Sequence, residues 1–254
     1  DDTEGWKNVQ DSTSNVTGIV PYITASGGTE STCGDFKIHK FTGPGTFSVT
    51  AASTVAPRNG LEYLVIAGGG GGRSGNSGSA RGGGGGGAGG YRTSAFGPSP
   101  LQAPTIPASA GSFPITVGAG GAGAASQPQD AVSGSPSVFP APTTITSAGG
   151  GFGGGNVSGN AGTPGGSGGG AGDGPSGGAP PVAGGTGNVP PVSPPQGNPG
   201  GPRETNPNNN GGGGSGGGGA GATGSSGQVS GTYPKNGGSG GSGVPNNITG
   251  SGVT

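Results

Sequence analysis

The clearest alternation of apolar and polar positions lies in two neighbouring stretches, Phe36–Phe41 and Thr46–Thr50. Each has the two-residue period of a half-buried strand, with Phe47 and Val49 pointing inward in the second. Between them, Thr42–Gly45 combines proline and glycine in the order that favours a turn. We therefore predict a β-hairpin made of these two strands.

Four other short stretches have strand character. Leu61–Ala67 is apolar on both faces in its second half, which predicts a central strand covered on both sides. Val20–Thr24 fits an edge strand, where a proline is tolerated. Phe113–Val117 and Thr143–Ser147 are β-type islands within a glycine-rich region. Since glycine and proline interrupt the chain throughout, we expect a mainly β and irregular fold with essentially no α-helix.

Composition divides the chain between Ala67 and Gly68. Of 72 glycines in 254 residues, only eight precede this point and 64 follow it. We therefore predict a small antiparallel β module over 1–67 and a glycine-rich domain over 68–254. With 25 % hydrophobic residues, the chain has too little apolar material for an ordinary hydrophobic core of its length.

Glycine comes in runs of helical length, separated by segments rich in Pro, Ser and Asn. Glycine can form a helix with three residues per turn whose backbone groups all point outward. Several such helices, called polyglycine II helices, can bond to one another laterally, because no Cβ keeps their backbones apart. We therefore predict a bundle of polyglycine II helices with long loops. The runs are 68–72, 82–90, 149–155, 165–172, 211–221 and 237–243.

Charge and catalytic side chains are scarce. The net charge is −1 and 7 % of residues are charged, which gives no electrostatic reason to expect nucleic acid or an anionic membrane as a partner. No run of about 20 apolar residues exists, so we expect no membrane insertion. His39 and Cys33 are single residues of their type and cannot assemble a zinc site. With no acid pair or triad, we predict no enzyme activity, no metal and no cofactor.

Two aromatic–basic groups are candidates for surface contact. Tyr91, Arg92 and Phe96 follow one glycine run, and Tyr233 and Lys235 lie near another. A tyrosine beside a basic residue on a loop is a common recognition pair. The alternative is that these rings cap the ends of the bundle and cover its edges.

Particular strings in the chain resemble the glycine-rich domain of marine and cyanobacterial phage virion proteins. The resemblance is carried by Cys33–Val49, Glu62–Ala67, 82–91, 113–121 and 190–198. A more distant similarity is to the tip adhesins of T-even-like long tail fibres, which have a core of polyglycine II helices and host-binding loops at the distal end. Similar domains continue through more glycine, so we expect this chain, which starts at Asp1 without any Met and stops at Thr254, to be a segment or a processed product.

The resemblance implies a structural protein of the phage virion surface, in a tail fibre or fibre tip. Its implied partners are other virion proteins and a host receptor, either a glycan or an outer-membrane protein. A head or neck decoration without receptor contact is an open alternative, as is an ice-binding or cell-surface polyglycine II protein. Phage fibres are commonly trimeric, which leaves a homotrimer open beside a lattice closed within one chain.

Overall fold

The computed structural model describes most of the chain after residue 20. The described residues are 21–75, 81–126, 129, 131–155, 161–174, 181–205, 211–228 and 235–250. Within these ranges there are eleven short strands, two single 3-10 turns and no α-helix. The predicted class, mainly β and irregular, is confirmed.

All the strands lie before residue 148, and they form small antiparallel sheets. The 3-10 turns span Ala56–Arg58 and Ser99–Leu101. The strands are β1 Thr24–Ser26, β2 Thr29–Cys33, β3 Phe36–Lys40, β4 Gly45–Ala51, β5 Gly60–Leu61, β6 Leu64–Ile66, β7 Tyr91–Thr93, β8 Ile106–Pro107, β9 Gly111–Ile115, β10 Ser137–Phe139 and β11 Ile145–Ser147.

The predicted hairpin of Phe36–Phe41 with Thr46–Thr50 is wrong in its pairing. β3 pairs along its whole length with β2, and β4 pairs instead with β1 and β9. The reason is the turn chemistry: Gly34, with φ 56°, begins a two-residue turn that closes β2 onto β3. Thr42–Gly45 therefore carries the chain from one sheet to another. Phe47 and Val49 do face inward, as predicted.

The predicted central strand Leu61–Ala67 is two shorter strands, β5 and β6, which lie in different sheets. They are separated at Tyr63, whose N–H donates to Ser94 Oγ at 2.9 Å while its side chain enters the core. The prediction that both faces are covered is wrong, because Ile66 is 53 % exposed.

The other strand predictions are partly confirmed. Phe113–Val117 corresponds to β9, and Thr143–Ser147 contains β11, which pairs with β10. Of the predicted strand Val20–Thr24, Val20 lies outside the described residues and β1 begins at Thr24.

The described residues of the glycine-rich remainder form twelve extended segments that bond laterally to one another. We number them g1 to g12 in chain order. They span 67–73, 82–90, 118–126, 131–135, 148–155, 161–166, 167–173, 182–188, 197–203, 211–219, 222–228 and 235–243.

Hydrogen bonds between these segments repeat every third residue. In g2, the N–H groups of residues 82, 85 and 88 donate to g10, and those of 84, 87 and 90 donate to g5. Carbonyls of the same segment accept from g1 and g7, so one segment bonds to four neighbours. A three-residue period with no bonds inside the segment is that of the polyglycine II helix. The predicted bundle is present.

The segments pack in three layers, as their bonds show. The first layer runs g3–g1–g2–g10–g12, the second g4–g5–g7–g9–g11, and the third contains g6 and g8. Odd-numbered segments run in one direction and even-numbered segments run back. Close packing requires glycine inside: a Cβ on Gly70, Gly86 or Gly153 would lie within 3.0 Å of a neighbouring backbone oxygen.

A small hydrophobic core adjoins one end of this lattice. Tyr63, Val65, Ile106, Ala141 and Ile145 are buried together. Four of the five are in or beside β5–β11: β6 leads into g1 and pairs with β7, which follows g2, and β10 and β11 stand between g4 and g5. Apolar packing is therefore concentrated at the sheets, while the lattice depends on backbone hydrogen bonds.

Burial raises the pKa of Tyr63 above its ordinary value of 10.0. Since the folded protein holds this proton more tightly than the unfolded chain, the contribution of Tyr63 to stability is full below pH 10.0 and is lost as pH rises through the raised pKa. We expect the free energy of unfolding, measured with urea, to fall as the pH rises above 10.0, where the unfolded chain loses this proton before the folded protein does. Tyr63→Phe should reduce that fall, whereas Tyr22→Phe, at a position 64 % exposed, should not.

Candidate functional site

The lattice has two chemically different ends. Each odd-numbered segment connects to the next even-numbered one at the same end, which we call the loop end. The opposite end, which we call the sheet end, adjoins the strands and the segment 244–250. The connections at the loop end span 74–81, 127–130, 156–160, 174–181, 204–210 and 229–234, and much of their length lies outside the described residues.

Most charged residues of the glycine-rich region are at the loop end. Arg92 is at the sheet end. The described charged residues at the loop end are Arg73, Arg81, Asp173, Arg203, Glu204 and Lys235. Four of the six are basic, so this end differs from the uncharged body of the lattice.

Asp173 and Arg203 belong to the lattice itself. Asp173 is 1 % exposed, and its Oδ2 accepts from the Gly212 N–H at 2.5 Å where g10 begins. Arg203 is 3 % exposed, and its backbone exchanges both hydrogen bonds with Val182. Glu204 is exposed, and its Oε1 accepts from Ser226 Oγ at 3.1 Å. Asp173 therefore lies in the lattice interior and not in a solvated loop, because its carboxylate accepts the Gly212 N–H near the start of g10.

The predicted contact residues are divided between the two ends. Tyr91, Arg92 and Phe96 lie at the sheet end, and Lys235 begins g12 at the loop end, half-buried. Tyr233 lies outside the described residues. The structure therefore brings the first three together but separates them from Lys235 by the length of the lattice.

Tyr91 packs inside the protein, which is the alternative to surface contact that the sequence left open. It is 6 % exposed, and its hydroxyl accepts from Asn246 Nδ2 at 2.8 Å. Arg92 is half-buried and donates from Nη1 to the Thr146 carbonyl at 3.5 Å. Surface contact stays a prediction for Arg92, Phe96 and Lys235.

Phe96 has an unusual backbone and an aromatic neighbour. Its φ is 66°, a left-handed conformation that is costly for a bulky residue. Its carbonyl accepts from Asn247 N–H at 3.0 Å, and its ring meets Phe36 edge to face at 5.6 Å. Phe36 is 54 % exposed, so part of this aromatic pair faces solvent.

Two buried amides at the sheet end were missed by sequence reasoning. Gln196 accepts from Ala148 N–H and donates to the Pro190 carbonyl, which ties the connection between g8 and g9 to g5. Asn246 contacts both Tyr91 and Thr93. Each is 1 % exposed. For Gln196 the available signal was a single large polar residue directly before a glycine segment, whereas Asn246 is one of two adjacent asparagines and had no such signal.

The described residues contain no group of three or more His, Cys, Asp or Glu side chains that could hold a metal ion. A shallow groove along Gly28–Thr29 and Lys40–Thr46 has Lys40 as its one titratable lining residue. In the described part of the chain, no helix is long and apolar enough to cross a membrane.

Comparison with known proteins gives a family but no individual relative. No curated protein and no solved structure matches the chain. Residues 41–254 match the glycine-rich domain family, from the residues just before β4 through the whole lattice. Because this match covers most of its length, the chain belongs to the glycine-rich domain family.

Proposed function

We propose that the protein is a structural component of a phage virion, in a tail fibre or fibre tip, and that it contacts the host surface through its loop end. The observation that carries the proposal is the connectivity of the lattice. The described segment ends that flank the six odd-to-even connections all lie at one end of the lattice. Loops on a rigid scaffold are where binding residues concentrate.

The lattice is suited to hold such an end in place. Its segments bond to several neighbours in all three layers, so no single connection determines their position. The two ends also differ in charge, because most described charged residues of the glycine-rich region lie at the loop end. The sheet end has its own hydrophobic core and buried amides, which give it a packing role. The resemblance to phage virion proteins supplies the context of the proposal.

Location in the virion is the first test. Virions encoded by the same genome as this chain would be labelled with an antibody against the purified protein and viewed by electron microscopy. Label at the tail fibres or their tips supports the proposal. Label confined to the head or neck would replace it with the decoration alternative, and absence of label from intact virions would remove the virion assignment.

The second test asks which end binds. Lys235→Glu and Arg92→Glu are a matched pair, because both reverse a half-buried basic residue at opposite ends of the lattice. We expect Lys235→Glu to weaken binding of the purified protein to host cells by about tenfold, the loss typical of one charged contact at a binding surface. Under the loop-end proposal Arg92→Glu should bind as the wild type does, and that result would count against the surface contact predicted for Arg92 from the sequence. The opposite ranking would assign recognition to the sheet end.

A further inference from the structure

The first layer of the lattice ends in two exposed segments, g3 and g12. g3 bonds to g1 through Gly121 and Ala124. At the other side of the layer, g12 bonds to g10 through Gly238 and Gly241. These two segments are therefore the opposite edges of one hydrogen-bonded layer.

Both edges leave most of their backbone groups open. In g3 and g12 about two residues of every three are exposed. Over the described part of both edges, the outward N–H groups make no hydrogen bond within the chain. These N–H groups belong to residues 119, 120, 122 and 123 of g3 and to residues 237, 239, 240, 242 and 243 of g12. Such a row of open donors and acceptors is a template for pairing with another chain.

At two outward positions of these edges, Gly120 and Gly240, glycine is not required by packing within the chain. A Cβ on Gly120 would lie 3.7 Å from the nearest atom, the Gly69 oxygen, and a Cβ on Gly240 would lie 3.8 Å from the Gly217 oxygen. These are ordinary contacts, unlike those of interior glycines. Glycine without a steric reason costs conformational entropy, so its presence on an open edge indicates close approach of another backbone.

Outward positions on other outer segments include larger side chains. Pro164 is exposed on g6, Thr186 on g8 and Thr223 on g11. Proline and β-branched residues keep a second backbone at a distance and, for proline, remove a donor. The outward positions of g3 and g12 hold only glycine, alanine, serine and Asn236, apart from half-buried Lys235. The two edges of the first layer therefore offer the easiest approach to a second backbone.

We propose that the g3 edge of one copy of this chain pairs with the g12 edge of a second copy, so that the first layer continues from copy to copy. The two edges fit in length, since nine residues each at about 3.1 Å per residue give about 28 Å. They also fit in direction. g3 runs toward the loop end and g12 runs away from it, so the new pair is antiparallel, like g1 with g2.

This contact joins two different surfaces and keeps all loop ends on the same side. A head-to-tail contact of this kind closes into a ring or continues as a row, depending on the angle between copies. A single edge is narrower than the interfaces of about 1,200 Å² or more that hold stable complexes. We therefore expect a reversible association that strengthens with protein concentration. It goes beyond the proposed function, because it requires no receptor and no virion.

Proline substitutions test the contact at its donors. Gly120→Pro and Gly240→Pro each remove one outward N–H, and the extended helix tolerates the fixed φ of proline. The preceding carbonyls, of Ala119 and Ser239, accept bonds within the lattice and are retained. Ala183→Pro is the matched control: Ala183 is exposed on g8 in the third layer, and the preceding Val182 carbonyl likewise accepts within the lattice.

Sedimentation velocity across a wide concentration range provides the measurement, with thermal unfolding to verify that each variant folds. We expect wild type and Ala183→Pro to self-associate, and each edge variant alone to lose association by at least tenfold in dissociation constant. A mixture of Gly120→Pro and Gly240→Pro should form a heterodimer and nothing larger, because each retains the edge that the other lacks.

Three results would overturn the proposal. The first is a wild-type protein that stays monomeric at every concentration. The second is an edge variant that still self-associates, which would indicate an edge pairing with itself or another surface. The third is a mixture of the two edge variants that yields no heterodimer although both are folded.

Discussion

Gly70→Ala will destabilise the protein by about 3 kcal/mol or more, whereas Gly69→Ala will change its stability by less than about 1 kcal/mol. Gly70 is inside the lattice, and a Cβ there would lie closer than 3.0 Å to Gly151 oxygen. The neighbouring carbonyl belongs to g5 and is fixed by bonds on both sides of that segment, so it has little freedom to move. Urea unfolding at neutral pH measures both variants.

Gly69 is the control for Gly70 because it is the adjacent residue of the same segment. A Cβ on Gly69 would be 3.5 Å from the nearest atom, which is ordinary contact. Alanine there also restricts the unfolded chain, which offsets any small cost in the folded state. Equal destabilisation by the two variants would contradict a close-packed lattice and would indicate instead a general cost of alanine in g1.

Asn246→Ala will destabilise the protein by about 3 kcal/mol. The substitution removes the donor to Tyr91 Oη at 2.8 Å and to Thr93 Oγ1 at 3.2 Å, and the acceptor for Ile248 N–H at 2.9 Å. Because Asn246 is 1 % exposed, water does not readily replace these bonds. Thermal and urea unfolding measure the effect.

A double-mutant cycle separates this bond from the general cost of a cavity. Tyr91→Phe removes the hydroxyl and retains the ring, so Asn246→Ala should cost less in the Tyr91→Phe background than in wild type. Asn236→Ala, at an exposed asparagine in g12, should be close to neutral. Additive effects of Asn246→Ala and Tyr91→Phe would show that their hydrogen bond contributes nothing.

The positions of strands could be predicted from the sequence better than the pairing between them. Strand character at Phe47 and Val49, and the strand around Phe113, follow from a two-residue period that local sequence displays. Which strands pair is decided elsewhere: β4 takes β9, more than sixty residues later, as its partner. The left-handed Gly34 gave a usable local signal for the β2–β3 turn, but the Pro-Gly turn at Thr42–Gly45 competed with it.

The glycine lattice was predictable for a physical reason. A run of glycine excludes both a hydrophobic core and a stable α-helix, so lateral backbone bonding is one of few ordered states left. The order of segments was not predictable, since glycine segments have no side chains to distinguish one neighbour from another. The residues that do distinguish them, such as Asp173 and Gln196, are polar and looked like loop residues before the structure placed them in the interior.

The candidate site was predicted only in part. Aromatic and basic residues near glycine runs could be named as contact candidates from the sequence. Nothing in the sequence indicated, however, which end of the lattice each run reaches. That depends on the number of the segment and on which of its two ends the residue adjoins: Arg92 follows the end of an even-numbered segment, whereas Lys235 begins one. Counting reversals of the chain would have separated the two.

The replacement of apolar side chains by peptide groups in the lattice interior has a thermodynamic consequence. Exposure of apolar surface raises the heat capacity on unfolding, whereas exposure of polar surface lowers it. A protein whose interior consists largely of hydrogen-bonded glycine backbone should therefore have a small heat-capacity change for its length. Its stability would then vary little with temperature, and it would resist cold as well as moderate heat.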